Sequence, residues 1–265
     1  MTAVPAADFE ARRFQTAAAH YLEGRAPYPE ALIARTAELV GLGKGDRILD
    51  LGCGPAQLAL AFAPLSGEVI AMDPEPRMLA IAHEAAEGVP NVRVLEGRAE
   101  DLNDGLGPFR AVVIGRAFHW MEREQVLRTL DTLIEPGGAV VLFADEQLRI
   151  PENARMREYQ ALLDSYSADD PIRGHRLSDA YRSHVSVLME SPFSRLERIS
   201  VFTRRRLTLE ILTHRALSLS STSRARLGRR ADALIAELRT RVQAWETAGP
   251  MEEVLASNAL IARRP

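Results

Sequence analysis

The residues best placed to do chemistry are those of Arg47-Ile48-Leu49-Asp50-Leu51-Gly52-Cys53-Gly54-Pro55, followed by Val69-Ile70-Ala71-Met72-Asp73. An apolar strand runs into a glycine turn, a helix follows, and a second strand ends in a lone acid. Gly52 and Gly54 let backbone approach a ligand with no Cβ in the way. The Asp73 carboxylate can accept from both hydroxyls of a ribose. The arrangement suits a nucleoside. Its plainer alternative is that Asp73 caps the helix after Pro74. A dinucleotide fingerprint needs a third glycine at the sixth position. Gln57 stands there, which counts against a nicotinamide or flavin cofactor.

Asp50, two residues ahead of Gly52, points elsewhere. Asp-x-Gly-x-Gly at a strand end resembles the first motif of class I methyltransferases, which bind S-adenosylmethionine. The resemblance implies a cofactor-binding set of Asp50, Gly52 and Gly54, with Asp73 on the ribose. Leu95-Glu96-Gly97-Arg98-Ala99-Glu100-Asp101-Leu102 is similar to the family's adenine-binding segment, where the backbone at Ala99 and a neighbouring acid read the base. Many members place that acid directly after the glycine. Here Arg98 occupies the position and has no acceptor, so Glu100 must supply it. Phe14, Tyr21, Arg25, Tyr28 and Pro29 resemble a segment of the trans-aconitate and ubiquinone/menaquinone types, whose N-terminal helix closes over the cofactor. Tyr21 or Arg25 would then hold the methionine carboxylate.

Ile114-Gly115-Arg116-Ala117-Phe118-His119-Trp120 follows a later strand and faces the same edge. Arg116 is a candidate cofactor contact or a surface ion pair. Aromatic rings attract a cation such as a sulfonium. His119 titrates near neutrality and is the candidate catalytic base for a hydroxyl or amine; the alternative is a local cap. The loop lacks the Asn/Asp-Pro-Pro-aromatic sequence that the family uses on exocyclic amines of bases. Cys53 has no basic neighbour in sequence to activate it. His20, His83, His175, His184 and His214 show no metal-ligand spacing, and no metal is expected. Arg173, His175 and Arg176 either greet an acidic substrate or form a solvated turn. Arg204-Arg205-Arg206 reads as a solvated strand edge.

The elements that must position these residues follow from periodicity. Helices are expected over 9–23 and 30–40, the second ended by Gly41 and Gly43. Strands and helices then alternate: strands 47–51, 68–72, 91–95, 109–114 and 139–144, and helices 56–63, 77–86 and 122–134. Pro136-Gly137-Gly138 is expected to make the turn into the fifth strand. Continuous apolar strands alternating with helices predict a parallel sheet covered on both faces. Helices are expected over 152–165 and 178–190 with a polar break at 167–176, then strands near 196–204 and 253–262. The insertion between strands 5 and 6 reads as a lid.

The chain has 265 residues, 46% hydrophobic, a net charge of −3 and one cysteine. Such a balance argues against a general nucleic-acid binder. The lone cysteine, the absence of a leader-like segment and the absence of a long apolar run suit a cytoplasmic protein with no membrane partner. The expectation is therefore an α/β, Rossmann-like, seven-stranded, mostly parallel sheet with helices on both faces. One domain is expected: N-terminal helices over 1–45, a cofactor-binding core over 46–146, a helical lid over 147–193, and the remaining sheet and helices over 194–265. The expected activity is S-adenosylmethionine-dependent methyl transfer to a small-molecule acceptor by in-line displacement. The alternatives are a protein or RNA methyltransferase, a non-catalytic S-adenosylmethionine-binding protein and a nicotinamide oxidoreductase.

Overall fold

The computed structural model describes residues 16–265. Residues 9–15 of the first expected helix, with Phe14, lie outside the described residues. The strands are β1 (Arg47–Leu51), β2 (Glu68–Asp73), β3 (Val92–Glu96), β4 (Phe109–Gly115), β5 (Ile134–Gln147), β6 (Arg195–Arg206) and β7 (Glu252–Arg263). They form one sheet in the order β3-β2-β1-β4-β5-β7-β6. β1 to β5 pair in parallel, and β7 runs antiparallel to both of its neighbours. This is the expected seven-stranded, mostly parallel sheet.

Register is what matters for the site. Leu51 pairs with Met72, Asp73 with Glu96, and Asp50 with Val113. The residues that follow β1, β3 and β4 therefore emerge beside Asp73 at one carboxyl edge. That edge, where strand order reverses around β1, is where ligands bind in open α/β sheets.

Each sheet face is covered. One face holds Leu32 and Ile33 of α2 (Glu30–Val40) and Phe62 of α3 (Gln57–Phe62) against Ile48, Val69, Val113 and Val141. After α4 (Pro76–Ala85) comes α5 (Arg123–Leu133), which packs Val126, Leu127, Leu130 and Leu133 on the other face against Leu49, Ile70 and Val112. The expected turn at Pro136-Gly137-Gly138 lies within β5, where it interrupts the register with β4. Phe109 faces Ile134 while Ala111 faces Ala139, and Gly137 supplies the left-handed residue at φ 79°.

Asp50 departs from its expected role. Its carboxylate is buried and accepts the Ala59 N–H at 2.9 Å. The helix it reaches, α3, starts on Ala56 in a left-handed conformation with no side-chain cap. Asp50 thus satisfies one of that helix's orphaned N–H groups from the adjacent strand, behind the turn rather than in a ligand cavity. Burial foremost pushes its pKa up to about 7.

The helices beyond β5 also differ from expectation. The polar break at 167–176 contains a helix, α7 (Pro171–Arg176), because Asp170 accepts from the Ile172 and Arg173 N–H groups. The helix expected over 178–190 shrinks to α8 (His184–Met189), started by Ser183. Nor does the insertion after β5 cover the sheet edge alone. Met156, Tyr159, Leu162 and Leu163 of α6 (Ala154–Tyr166) share a separate core with α9 (Leu209–Ser218) and α11 (Arg230–Glu246), while α10 (Arg224–Leu227) adds Leu227. The cap is therefore built from both segments that leave the sheet, the second being the one between β6 and β7.

The cap also grips α1 (Ala18–Gly24). Gly24 meets the Arg215 backbone so closely that a Cβ there would collide with it. Arg215 donates to the Gly24 carbonyl at 3.3 Å and forks onto Glu253 at 2.6 and 2.7 Å. Glu253 is 1% exposed and also meets Arg205 at 3.3 Å.

Two outcomes are expected in urea unfolding. Glu253→Ala strands two guanidinium groups and should cost about 3–5 kcal/mol, the loss typical of breaking a buried ion pair. Asp50 has a folded pKa near 7 and an unfolded one near 4, so its native form binds the extra proton between those values. Its contribution is intact below about pH 4 and is lost as pH rises to about 7. Asp50→Asn should therefore gain stability relative to wild type at pH 8, and the gain should vanish at pH 4.

Candidate functional site

A cavity of about 390 Å³ opens at the carboxyl edge of β1, β2 and β4, beneath the cap. The turn after β1 forms its floor. Gly52, at φ 70°, and Cys53 both donate to the Met72 carbonyl, at 2.8 and 3.0 Å. A Cβ at Gly52 would lie 2.7 Å from the Ala117 Cβ, so only glycine fits this turn against the loop after β4. Gly54, at φ 53°, donates its N–H to Asp73 Oδ2 at 2.9 Å.

Asp73 sits between two turns. Its Oδ1 accepts the Glu75 N–H at 2.8 Å. Each oxygen is thus anchored by one backbone donor and keeps a further lone pair. Burial raises its pKa, and the two backbone donors oppose that shift. The helix-capping role belongs to Glu75, whose Oε1 accepts the Arg77 N–H at 3.3 Å. Glu75 is 2% exposed, lines the cavity, and its Oε2 has no hydrogen-bond partner. Sequence reasoning passed over Glu75. The available signal was an acid set between Pro74 and Pro76 directly after the ribose candidate.

Arg116 takes φ 58°, a strained conformation for a residue with a side chain. The strain is held by a dense set of partners. Arg116 Nε donates to Asp145 Oδ2 at 2.9 Å, and Nη2 to the Ala26 carbonyl at 2.8 Å. The guanidinium lies 4.5 Å from the Tyr28 ring centroid. Asp145 is in turn fixed by the Ser257 hydroxyl at 2.9 Å. Arg116 Nη1 nevertheless has no partner, and neither does the buried Nε of Arg25. Arg25 stacks at 5.4 Å on the Tyr21 ring, and both residues line the cavity.

Ala99 is buried in the short turn after β3, and Glu100 stands next to it in the wall. The Glu100 oxygens already accept the Glu122 N–H at 2.9 Å and meet Arg98 at 3.4 Å. His119 lines the opposite part of the wall beside Trp120, their ring centroids 4.8 Å apart, and stacks at 6.4 Å on His184 of α8. Burial foremost, then the charge of Arg176, pushes its pKa well below the usual histidine range. Such an imidazole is neutral and a weak proton acceptor, which counts against the catalytic-base role.

The fold thus gathers Tyr21, Arg25, Gly52, Gly54, Asp73, Ala99, Glu100, Arg116 and His119 around one cavity and leaves Asp50 outside it. Beyond Glu75, sequence reasoning also missed Asp145, and it had set His184 aside as scattered. The chemistry present fits an adenosyl amino acid. Asp73 and Glu75 offer carboxylate oxygens after β2, Arg25 and Arg116 offer unpartnered guanidinium nitrogens, and the floor is a glycine turn that a Cβ would obstruct.

Comparison with known proteins agrees with this geometry. Residues 48–138 match the family model described as a methyltransferase domain. The chain is 29% identical over 129 residues to an uncharacterized methyltransferase of Mycobacterium tuberculosis, covering 49% of this chain and 50% of the relative. It is 31% identical over 158 residues to the ubiquinone/menaquinone biosynthesis C-methyltransferase of Azotobacter vinelandii, covering 56% and 60%. The chain spans about half the length of the first of these relatives. An S-adenosylmethionine-dependent methyltransferase of Geobacter sulfurreducens, solved with S-adenosyl-L-homocysteine, superposes with a TM-score of 0.56 at 12% identity, covering 96% of this chain and 98% of that one. The matched domain over residues 48–138 and the sheet order together resemble those of class I S-adenosylmethionine-dependent methyltransferases.

Proposed function

We propose that the protein transfers a methyl group from S-adenosylmethionine to a small-molecule acceptor inside the capped cavity. The observation that carries this reading is the doubly anchored Asp73 carboxylate facing a glycine floor. S-adenosylmethionine, when bound, supplies an activated sulfonium methyl open to in-line displacement, so the protein's task is mainly positioning and exclusion of water.

In this reading the free lone pairs of Asp73 accept the ribose hydroxyls, and Glu75 Oε2 adds an acceptor beside them. Ala99 and Glu100 border the base. Arg25 Nε and Arg116 Nη1, with Tyr21, meet the donor's carboxylate. Gly52 and Gly54 let the backbone lie flat beneath it. His119 serves as a neutral wall rather than a proton acceptor. The helical cap favours a small acceptor, since an enclosed cavity suits a ligand that can be buried on most sides. The quinone-biosynthesis relative is consistent with such a ligand. Among the described residues no helix is long and apolar enough to cross a membrane. We place the activity in the cytoplasm on the lone, buried cysteine.

Titration calorimetry with S-adenosylhomocysteine tests the reading. The wild-type chain should give a saturable heat with one binding site. Asp73→Asn keeps an acceptor for the turn but loses the charge, worth about 1.5–3 kcal/mol per hydrogen bond. Affinity should therefore fall roughly 10- to 150-fold while the thermal melt stays cooperative. A folded wild-type chain that gives no heat sinks the proposal.

A further inference from the structure

The cavity wall carries charges of both signs. Its acidic side chains are Asp73, Glu75, Glu100 and Asp145. Asp145 is already paired with Arg116 at 2.5 Å. Glu100 meets Arg98, and Asp73 and Glu75 flank the turn after β2. Around His119, whose ring meets Trp120 and stacks on His184, the wall contributes two imidazoles and the Arg176 guanidinium, whose charge bears on both rings. Among the described residues the Arg176 side chain has no carboxylate or hydrogen-bond partner. Arg176 ends α7, the helix that Asp170 starts within the expected polar break.

His184 has a defined polarity. Arg123 Nη1 approaches His184 Nδ1 at 3.3 Å and also donates to the Arg182 carbonyl at 2.7 Å. A guanidinium can only donate, so Nδ1 is the acceptor and the ring proton resides on Nε2. Burial, with Arg123 and Arg176 nearby, holds the His184 pKa at about 4, so the ring stays neutral in this tautomer. It therefore has an N–H donor and no second acceptor to offer. Phe118 and Trp120, in ring contact with His184 and His119 respectively, make the neighbouring wall aromatic.

Building on the donor site assigned above, we propose that this end of the cavity recognises the carboxylate of a small organic acid acceptor through the Arg176 guanidinium and the Nε2–H of His184. Arg123 is a positioning residue that fixes the His184 tautomer. A neutral acceptor would forgo the charge-assisted bond to Arg176, which is exposed and otherwise hydrated, and would leave the Nε2–H of half-buried His184 without a charged partner. The apolar neighbours suit an acid with a hydrocarbon or aromatic body. Charge-assisted bonds from a guanidinium fork to a carboxylate are the strong form of this contact.

The test is calorimetry on the full chain saturated with S-adenosylhomocysteine, using matched probes: 3-phenylpropionate against 3-phenylpropionamide, and hexanoate against hexanamide. The acid should bind at least about tenfold more tightly than its amide, the scale of one charge-assisted hydrogen bond. Arg176→Gln should reduce that ratio to below about twofold without moving S-adenosylhomocysteine affinity, and Arg176→Lys should restore part of it. If neither acid outbinds its amide while S-adenosylhomocysteine still binds, or if Arg176→Gln keeps the preference, the proposal is overturned and the donor site stands. If S-adenosylhomocysteine itself fails to bind, the donor reading fails first and this proposal with it. Long-range ¹H–¹⁵N spectra give an independent readout of the tautomer. They should show the His184 proton on Nε2 in the wild type and a tautomer mixture in Arg123→Gln, and a wild-type proton on Nδ1 removes His184 from the anion site.

Discussion

The hydrogen bond from the Gly54 N–H to Asp73 Oδ2 joins the turn after β1 to the turn after β2, and the rest of the site is arranged around it. The bond forms because parallel pairing sets Leu51 opposite Met72, which delivers the glycine turn and the acid to the same level. The Met72 carbonyl then accepts both the Gly52 and Cys53 N–H groups, curling the turn over the end of β2. The second Asp73 oxygen holds the Glu75 N–H, so α4 begins at a fixed distance from the floor. A carboxylate with two backbone donors has its rotamer set before any ligand arrives, which lowers the ordering cost of binding. Asp50 performs the complementary service behind the turn by tying α3 to β1. The two acids of the motif therefore have different physical roles, one facing the cavity and one supporting the helix that shapes it.

Much of this was legible from the chain. The parallel part of the sheet follows from apolar runs alternating with helical periods, because buried parallel strands leave a strong signal. The cofactor side was legible for the same reason: Gly52, Gly54 and Asp73 are local to strand ends, and strand ends are easy to locate. Asp50 was expected beside the cofactor; spacing alone cannot tell an acid facing a ligand from one facing a helix amide, and its carboxylate holds the Ala59 N–H. Glu75, Asp145 and His184 were hidden for a different reason. Each acquires meaning from a partner or an orphaned atom distant in sequence, such as Arg116 for Asp145. The helices of the cap were misplaced where caps outweigh periodicity. Asp170 and Ser183 start short helices in a polar stretch whose apolar pattern is too sparse to announce them.

The charges in the cavity wall also explain why His119 is poorly suited to the base role that its residue type suggests. An imidazole works as a base when its pKa lies near the operating pH. Here burial and Arg176 lower it, and a cationic donor would lower it further. The same positive surroundings that disable a base favour an acceptor that arrives already ionised. The environment therefore trades proton-transfer chemistry for anion recognition, and the aromatic contacts of His119 with Trp120 and His184 are consistent with a wall rather than a relay.

The cavity is covered from two insertions and by α1. The cap core of α6, α9 and α11 is separate from the two cores that flank the sheet. What ties it to the sheet are polar contacts: Glu253 of β7 with Arg215, and Asn153 with both the carbonyl and the N–H of Val254. These lie at the amino end of β7, on the strand that also braces Asp145 through Ser257. Arg116, Asp145 and Ser257 therefore lie on the same load path as the cap anchor. The ribose side of the cavity and Arg116 are thereby built on strand ends, whereas Arg25 ends α1 and Arg176 and His184 belong to α7 and α8.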